Sequence, residues 1–192
     1  MNLSELYVDT AWTLFLDRDG VINKKRENDY VKSWAEFDFI PGALPALAIL
    51  ATIFGRIIVA TNQRGIARGL VTLQSLQIIH NKMLQVVSDS GGRIDAVYYC
   101  PHDYSDNCDC RKPRIRMAQK AKSDFPEIDF HKSIVIGDSD SDIEFGRNLN
   151  CTSLFVGQKI HPSADMAFKS LYAFSEMVCS PGGQEAHAQP LP

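Results

Sequence analysis

Short apolar runs alternate with amphipathic segments along most of this chain. Five runs rich in β-branched and aromatic residues predict strands, at Thr13–Leu16, Ile57–Ala60, Ala96–Tyr99, Ser133–Ile136 and Ser153–Val156. Segments with apolar residues at helical spacing lie between these runs. Strands that alternate with helices favour an α/β fold, in which a parallel sheet carries helices on both of its faces.

The helical segments have recognisable beginnings. We expect five helices, which begin at Pro41, after Thr72, after Pro113, after Asp140 and at Asp165. The first should run through Leu50 and the last to Met177. Thr72 is suited to be an N-cap, and the helix that follows it carries an apolar stripe of Leu73, Leu76, Ile79, Met83 and Val87.

Length and composition indicate a single domain. The chain has 192 residues, of which 45% are hydrophobic, enough for one full core but too few for two ordinary domains. We expect this domain to span residues 1–180. Residues 181–192 contain few apolar side chains and several helix breakers, so we expect a disordered tail there.

Charge and hydropathy exclude several classes of partner. The formal net charge is -3 and no basic stripe is present, so nucleic acid is not an expected partner. The chain has no apolar run of about 18 residues and no basic, apolar start typical of a signal peptide, so we expect no membrane association. A cytoplasmic monomer is the resulting expectation.

Two carboxylates directly follow the first predicted strand. Asp17 and Asp19 lie two residues apart, and Gly20 then lets the chain turn away. Such a pair suits phosphoryl transfer, because one carboxylate can attack phosphorus while the other moves the proton of the leaving oxygen. An isolated Asp-x-Asp is more often a polar turn, so the interpretation depends on other residues that would meet this pair.

Polar residues also end two other predicted strands. Thr61 follows the second strand and offers a hydroxyl and an N–H to a phosphate oxygen, while Asp138 follows the fourth strand and suits a hard cation such as Mg²⁺. The basic pair Arg111 and Lys112 could neutralise a transferring phosphoryl group. Ligands of open parallel sheets bind beyond the carboxyl ends of the strands, where these residues would converge.

The order of these motifs, strand-Asp-x-Asp, strand-Thr, Lys and strand-Gly-Asp-x3-Asp, resembles the haloacid dehalogenase superfamily of phosphatases. The resemblance implies a Rossmann-like sheet and catalytic roles for Asp17, Asp19, Thr61 and Lys112. In those roles Asp17 forms an aspartyl-phosphate, and Asp19 protonates the leaving oxygen and then activates water. It also implies a Mg²⁺ ion held by Asp17, the backbone carbonyl of Asp19 and Asp138.

A second cluster has the composition of a zinc site. Its residues are Cys100, His102, Cys108 and Cys110. Three thiolates and one imidazole form a closed tetrahedral set, which favours structural Zn²⁺, although three reduced thiols beside a surface histidine remain an alternative. Zinc here would fix the loop that leads into Arg111 and Lys112.

Asp-Arg-Asp-Gly together with Cys-x-His, a short loop and Cys-x-Cys-Arg-Lys-Pro resembles the zinc-containing branch of the superfamily. This branch holds histidinol phosphatases and D-glycero-D-manno-heptose 1,7-bisphosphate 7-phosphatases. Its members lack a large cap domain, and no segment here is long enough to form one. The resemblance therefore implies a small phosphate ester as the substrate, bound by loops.

The features that distinguish the two substrates disagree. The segment around Thr61–Gly69 is similar to the heptose enzymes, whereas the five residues between His102 and Cys108 resemble the histidinol phosphatases. We favour the heptose bisphosphate, with histidinol phosphate as the alternative and a non-catalytic binding module as a third interpretation. The expected substrate-binding residues are Asn62, Gln63, Arg64, Arg68 and Arg111.

Individual positions near these motifs carry further expectations. Arg64 and Arg68 fit a second phosphate, although solvated surface charge is an equally good account of them. Ser139 stands where many members carry lysine, which predicts one positive charge fewer. Arg18 should point away from its two aspartate neighbours, and Asp142 should cap a helix or reach the metal through water.

Overall fold

A six-stranded parallel sheet lies at the centre of the computed structural model, which describes residues 7–158 and 161–179. Its strands are β1 (Thr13–Leu16), β2 (Arg56–Asn62), β3 (Ala96–Cys100), β4 (Ser133–Gly137), β5 (Thr152–Val156) and β6 (Met166–Phe168). Their order across the sheet is β3-β2-β1-β4-β5-β6. The five predicted strands are confirmed, and the sixth was not predicted.

Helices cover both faces of the sheet, as the alternating pattern predicts. They are α1 (Ala43–Ile53), α2 (Leu73–Asp89), α3 (Arg116–Asp124), α4 (Asp140–Asn148) and α5 (Leu171–Cys179). The Thr72 side chain accepts a hydrogen bond from the backbone N–H of Ser75 at 3.0 Å, so the predicted N-cap is confirmed. Among the described residues, no helix has the length and apolar character needed to cross a membrane.

The predicted helix over Asp165–Met177 is wrong in its first half. Met166–Phe168 forms β6, and α5 begins only at Leu171. Asp165 explains the difference, because its N–H donates to the Ser153 carbonyl at 2.8 Å and its carboxylate accepts from the Ser153 N–H at 2.7 Å. These bonds tie the segment to β5 before a helix can start. The expected tail over 181–192 lies outside the described residues.

The side chains of β1 alternate between two apolar layers. Leu14 and Leu16 pack with α1, α2 and α5, whereas Phe15 packs with α3 and α4. All three are essentially buried, and burial of such a side chain contributes about 1.5–3 kcal/mol. The N–H of Asp17 donates to the Ile136 carbonyl at 2.9 Å, so these layers hold the end of β1, and the residues after it, in a fixed position beside β4.

No cap domain is found in the part of the chain that the structure describes. The segment between β1 and α1 contains one 3₁₀ turn, Trp34–Glu36, and a single antiparallel bridge between Asn23 and Phe39. Phe37 lies 5.0 Å from both Trp34 and Phe39, measured between ring centroids. This short segment is therefore too small to form a separate domain over the carboxyl edge of the sheet.

Candidate active site

Lys112 joins two carboxylates at the carboxyl edge of the sheet. Its Nζ lies 2.9 Å from Asp17 Oδ1, 2.5 Å from Asp142 Oδ1 and 2.5 Å from the Ala60 carbonyl oxygen. The Lys112 side chain is 3% exposed, and the Asp142 side chain is 1% exposed. Burial alone would lower the pKa of Lys112, but Asp142 and Asp17 outweigh it and raise that pKa, so this lysine is charged.

Asn62 fixes the backbone of this lysine. Its Oδ1 accepts from the Lys112 N–H at 3.0 Å, and its Nδ2 donates to the Lys112 carbonyl at 3.3 Å. Asn62 is the last residue of β2, so the strand that carries Thr61 also positions the basic residue from the loop after β3. The Asn62 amide is therefore occupied by protein groups.

Asp142 has a more central position than the sequence predicts. Its Oδ2 accepts from the Ser139 hydroxyl at 2.6 Å and from the Ser139 N–H at 3.1 Å, at the start of α4. Its other oxygen faces Lys112. Asp142 thus caps the helix, as predicted, and also anchors the lysine. Asp140 is exposed in the first turn of the same helix.

Asp138 lies beside Asp17 and has the features of a cation ligand. Carboxylate oxygens of Asp17, Asp138 and Asp142 lie within 4.8 Å of one another. Among the described residues, Asp138 Oδ1 is buried without a hydrogen-bond partner, and burial raises the pKa of this carboxyl. A hard divalent cation would satisfy both conditions, because it prefers carboxylate oxygens and offsets their buried charge.

The turn after β1 requires glycine at this point. Gly20 has a φ of +93°, and a Cβ built there would lie 2.2 Å from Asp138 Oδ2. Any larger residue would push Asp138 away from Asp17. The close packing of the turn against β4 therefore brings the two carboxylates together.

Lys25 supplies a positive charge that the sequence did not reveal. Its Nζ donates to Asp138 Oδ2 at 2.8 Å, and its side chain is 54% exposed. The resemblance predicted one charge fewer because Ser139 replaces lysine. In this chain Lys25, from the loop after β1, places a positive charge beside Asp138 instead. No spacing rule relates position 25 to position 138, so sequence reasoning had no signal for it.

Asp19 accepts hydrogen bonds on both carboxylate oxygens. Arg18 Nη2 lies 3.0 Å from Oδ1 and 2.9 Å from Oδ2, Asn23 Nδ2 lies 2.9 Å from Oδ1, and Gln63 Nε2 lies 2.8 Å from Oδ2. Although burial raises it, the pKa of Asp19 is lowered overall by Arg18, Asn23 and Gln63. The carboxylate is therefore held ionised and oriented.

The predicted direction of Arg18 is wrong. Its guanidinium bends back onto Asp19 instead of pointing away from it. The prediction assumed strand alternation, but β1 ends at Leu16, so the alternation does not extend to residues 17–19. The Arg18 side chain is 1% exposed, which means that this cation is part of the protein interior.

Thr61 and Gln63 are also buried, at 1% and 3% exposure. The Thr61 hydroxyl accepts from Gln63 Nε2 at 3.0 Å, and the Gln63 Oε1 accepts from Arg18 Nη2 at 3.2 Å. Gln63 thus faces the interior beside Asp19. The structure brings Thr61 to the end of β2, next to the carboxylate sites.

Two arginines flank the ring of Tyr104. The guanidinium carbons of Arg64 and Arg111 lie 4.5 Å and 4.1 Å from its centroid, and Arg64 Nε also donates to Asp103 Oδ1 at 2.7 Å. Within the described residues, Arg111 has two buried nitrogens, Nε and Nη1, without hydrogen-bond partners. The Arg68 guanidinium lies 6.0 Å from the Tyr30 ring.

The four predicted zinc ligands converge on one point. The Sγ atoms of Cys100, Cys108 and Cys110 lie 3.0–3.6 Å apart, and His102 Nδ1 lies 3.7 Å and 3.2 Å from two of them. Ligands of tetrahedral Zn²⁺ lie about 3.8 Å apart when bound at 2.3 Å. No disulfide links the cysteines that the structure describes, so the set fits a zinc ion.

Arg114 supports this loop from the other side. It donates to the Asn107 carbonyl at 2.7 Å, to the Asn107 side chain at 2.5 Å and to the Cys108 carbonyl. Asn107 has a φ of +44°, so these bonds stabilise an unusual turn within the cluster. Loop and sheet are also joined by the Gln63 N–H, which donates to the Cys100 carbonyl at 2.8 Å.

Comparison with known proteins gives consistent results. A family model described as HAD-hydrolase-like matches residues 109–175. The D-glycero-alpha-D-manno-heptose-1,7-bisphosphate 7-phosphatase of Mycobacterium tuberculosis is 38% identical over 173 residues, which cover 87% of this chain and 91% of that protein. The D-glycero-beta-D-manno-heptose-1,7-bisphosphate 7-phosphatase of Pseudomonas aeruginosa is 38% identical over 143 residues, which cover 74% and 79%.

A solved structure is similar over nearly the whole fold. The D,D-heptose 1,7-bisphosphate phosphatase from B. bronchiseptica, complexed with magnesium and phosphate, has a TM-score of 0.79 and 32% sequence identity. The match covers 87% of this chain and 97% of that one.

Proposed function

Because the chain belongs to the haloacid dehalogenase-like phosphatases, within the family of heptose bisphosphate 7-phosphatases, we propose that it removes the 7-phosphate of D-glycero-D-manno-heptose 1,7-bisphosphate. The observation that carries this proposal is the ion pair by which Lys112 holds Asp17 at the end of β1, at 2.9 Å. This pair places a nucleophile and a fixed positive charge where a phosphoryl group can enter.

In the proposed reaction the Asp17 carboxylate attacks phosphorus. The new bond forms as the bond between phosphorus and the sugar oxygen breaks. Asp19, which is ionised in the free site, must first take up a proton from solvent, and it then gives this proton to the sugar oxygen. Asp19 then takes a proton from the water that hydrolyses the aspartyl-phosphate. Lys112 and the Thr61 hydroxyl stabilise charge on the phosphoryl oxygens in both steps.

We assign the magnesium site to the carboxylates of Asp17 and Asp138 and the backbone carbonyl of Asp19. When bound there, Mg²⁺ would neutralise the repulsion between a carboxylate nucleophile and a phosphate dianion. Asp142 remains with Lys112 in this assignment, because its two oxygens already face the lysine and Ser139. Zn²⁺ at the cysteine and histidine cluster would have a structural role, since four protein ligands leave no open position.

We assign the second phosphate of the substrate to Arg64 and Arg111. The unpartnered buried nitrogens of Arg111 support this assignment, because buried donors without acceptors are costly. The zinc cluster lies directly before Arg111 in the chain and would hold its backbone in place. Arg68, whose guanidinium lies 6.0 Å from the Tyr30 ring, would add a further positive charge for this phosphate.

The test is phosphate release with Mg²⁺ on three esters: the two anomers of heptose 1,7-bisphosphate and histidinol phosphate. We expect a large kcat/KM advantage for one heptose anomer. The five-residue spacing in the zinc loop favours histidinol phosphate as the second candidate, and preference for that ester would refute the heptose assignment. Asp17→Asn should abolish release while circular dichroism stays unchanged, and unchanged turnover would refute the assignment of the nucleophile.

A further inference from the structure

His80 is a buried polar residue on the apolar side of α2. It follows Ile79 and lies one turn after Leu76, one turn before Met83 and two turns before Val87, all of which are buried with it. The whole residue is 6% exposed. A histidine in an apolar stripe needs a hydrogen-bond partner, because an unpaired buried imidazole is costly. Its partner indicates what it does.

That partner is Arg18. The Nη1 of Arg18 lies 3.0 Å from His80 Nε2. A guanidinium can only donate hydrogen bonds, so His80 Nε2 must be the unprotonated acceptor and the ring proton must sit on Nδ1. Burial, with the charge of Arg18 second, lowers the pKa of His80 to about 3, which agrees with a neutral ring at physiological pH.

The other end of the same guanidinium holds Asp19. Arg18 Nη2 contacts both carboxylate oxygens, at 3.0 Å and 2.9 Å. A planar guanidinium anchored at Nη1 cannot rotate without breaking the contacts at Nη2. The orientation of His80 is therefore transmitted through one rigid group to the Asp19 carboxylate.

We propose that His80 is a positioning residue for proton transfer, which holds Arg18 so that the Asp19 carboxyl faces the leaving oxygen. The inference rests on the proposed function, because it needs Asp19 to act as the general acid. His80 itself touches no reacting atom. Its removal should therefore matter most when the leaving oxygen needs a proton and least when it does not.

The test compares His80→Leu with His80→Gln on two esters, heptose 1,7-bisphosphate and p-nitrophenyl phosphate. The sugar alkoxide needs a proton to leave, whereas p-nitrophenolate leaves unprotonated. The kcat/KM value reports only the steps up to the aspartyl-phosphate, so hydrolysis of that intermediate, which both esters share, does not enter. The ratio of the two kcat/KM values isolates the proton transfer.

General acid catalysis contributes about 10²–10⁴-fold, so we expect His80→Leu to lower kcat/KM for the sugar ester about 10-fold or more and for the aryl ester less than about threefold. His80→Gln offers an acceptor oxygen to Arg18 and should restore the wild-type ratio. Ile79→Val is the matched control, because it trims the neighbouring buried side chain without touching Arg18. It should leave the ratio unchanged.

Equal losses on both esters, or a normal ratio in His80→Leu, would overturn the positioning role while leaving the proposed function intact. A wild type that hydrolyses neither ester would refute the proposed function and this inference together. Should His80→Leu fail to fold, nitrogen NMR of the wild-type ring decides. We expect an Nδ1–H tautomer that does not titrate between about pH 5 and pH 8, and a titrating ring or an Nε2–H tautomer would refute the hydrogen bond.

Discussion

Lys112→Met removes the cation on which two buried carboxylates depend. In the wild type the ammonium contacts Asp17, Asp142 and the Ala60 carbonyl oxygen at 2.5–2.9 Å. Methionine retains much of the apolar stem but donates no hydrogen bond. Asp17 and Asp142 would then face each other without their shared positive charge, in a place where neither can be fully hydrated.

The expected cost is large. Removing one partner of a buried ion pair destabilises a protein by about 3–5 kcal/mol, and each kcal/mol shifts the melting temperature of a chain of this size by roughly 2–4 °C. We therefore expect a decrease of about 6–20 °C. The matched control is Lys120→Met, since Lys120 is 60% exposed and pairs with Asp124 on the surface of α3. This variant should melt like the wild type.

The pH dependence of this loss of stability in Lys112→Met, called the deficit below, provides a second check. Burial raises the pKa of Asp17 to about 7 even with Lys112 present, and loss of the lysine would raise it further. A carboxyl whose folded pKa exceeds its unfolded value is destabilising when ionised, and this penalty disappears as pH falls and the group is protonated. The stabilisation by Lys112 itself is present at every pH below its unfolded pKa. The deficit should thus be largest near pH 8 and smaller near pH 5.

Thermal melts followed by circular dichroism in EDTA measure both quantities, because chelation removes any contribution of Mg²⁺ to the same carboxylates. If Lys112→Met has the same melting temperature as Lys120→Met near pH 8, the reasoning is refuted. So would a deficit that grows as the pH falls, because the buried carboxylates would then not be the source of the instability.

Three further predictions concern the metals and the substrate. Mg²⁺ should raise the melting temperature more near pH 8 than near pH 5.5. Burial raises the pKa of Asp17 to about 7, so below pH 7 the ion must displace a proton from this carboxyl. Equal increases in melting temperature at the two pH values would contradict this. Cys108→Ser should lose zinc and thermal stability together, measured by atomic absorption and melting, whereas exposed Cys179→Ser should retain both; a stable, zinc-free Cys108→Ser would disprove a structural zinc. Arg111→Met should raise KM for the bisphosphate but not for p-nitrophenyl phosphate. The control is Arg116→Met, whose side chain is 63% exposed and which should leave both KM values unchanged. A similar rise in KM for both esters would argue against a second phosphate at Arg111.

Most of the sheet could be predicted because its central strands are buried on both faces. Residues such as Leu14–Leu16 form continuous apolar runs with abrupt polar ends, and this pattern fixes both the strand and its direction. The strand at Met166–Phe168 has only three residues and pairs with β5 alone. Its position depends on bonds between Asp165 and Ser153, which are far apart in sequence and leave no periodic signal.

The meeting of polar residues at the carboxyl ends of the strands could also be predicted, because parallel strands place these ends at one edge of the sheet. The side-chain directions beyond those ends could not. Arg18 turns back onto Asp19, and the amides of Asn62 and Gln63 bind protein groups, since each follows the end of a strand or packs against a neighbouring loop. Of these residues only His80 has a signal in the sequence, because it is a polar residue within the apolar stripe of α2.

The balance of charge at the site explains why a divalent cation is needed there. Four carboxylates, from Asp17, Asp19, Asp138 and Asp142, meet three cations, of which Arg18 and Lys112 are buried and Lys25 is half exposed. Arg18 is committed to Asp19, and Lys112 is divided between two partners. Burial raises the pKa of both Asp17 and Asp138, so their ionised forms are under-compensated, and an incoming phosphate dianion would increase the imbalance.

A cation bound between Asp17 and Asp138 would offset the negative charge of both the carboxylates and the phosphate. It would favour the ionised nucleophile and attract the phosphate, which Lys112 alone cannot do while it is shared with Asp142. Lys25 contacts Asp138 from an exposed position, and we expect it to move from the aspartate to the phosphate when the ion binds. Lys25→Met should therefore raise KM for every phosphate ester alike and tighten Mg²⁺ binding, because it removes a competitor for Asp138. Weaker Mg²⁺ binding in this variant, measured by titration of the melting temperature, would show that Lys25 supports the metal site instead of competing with it.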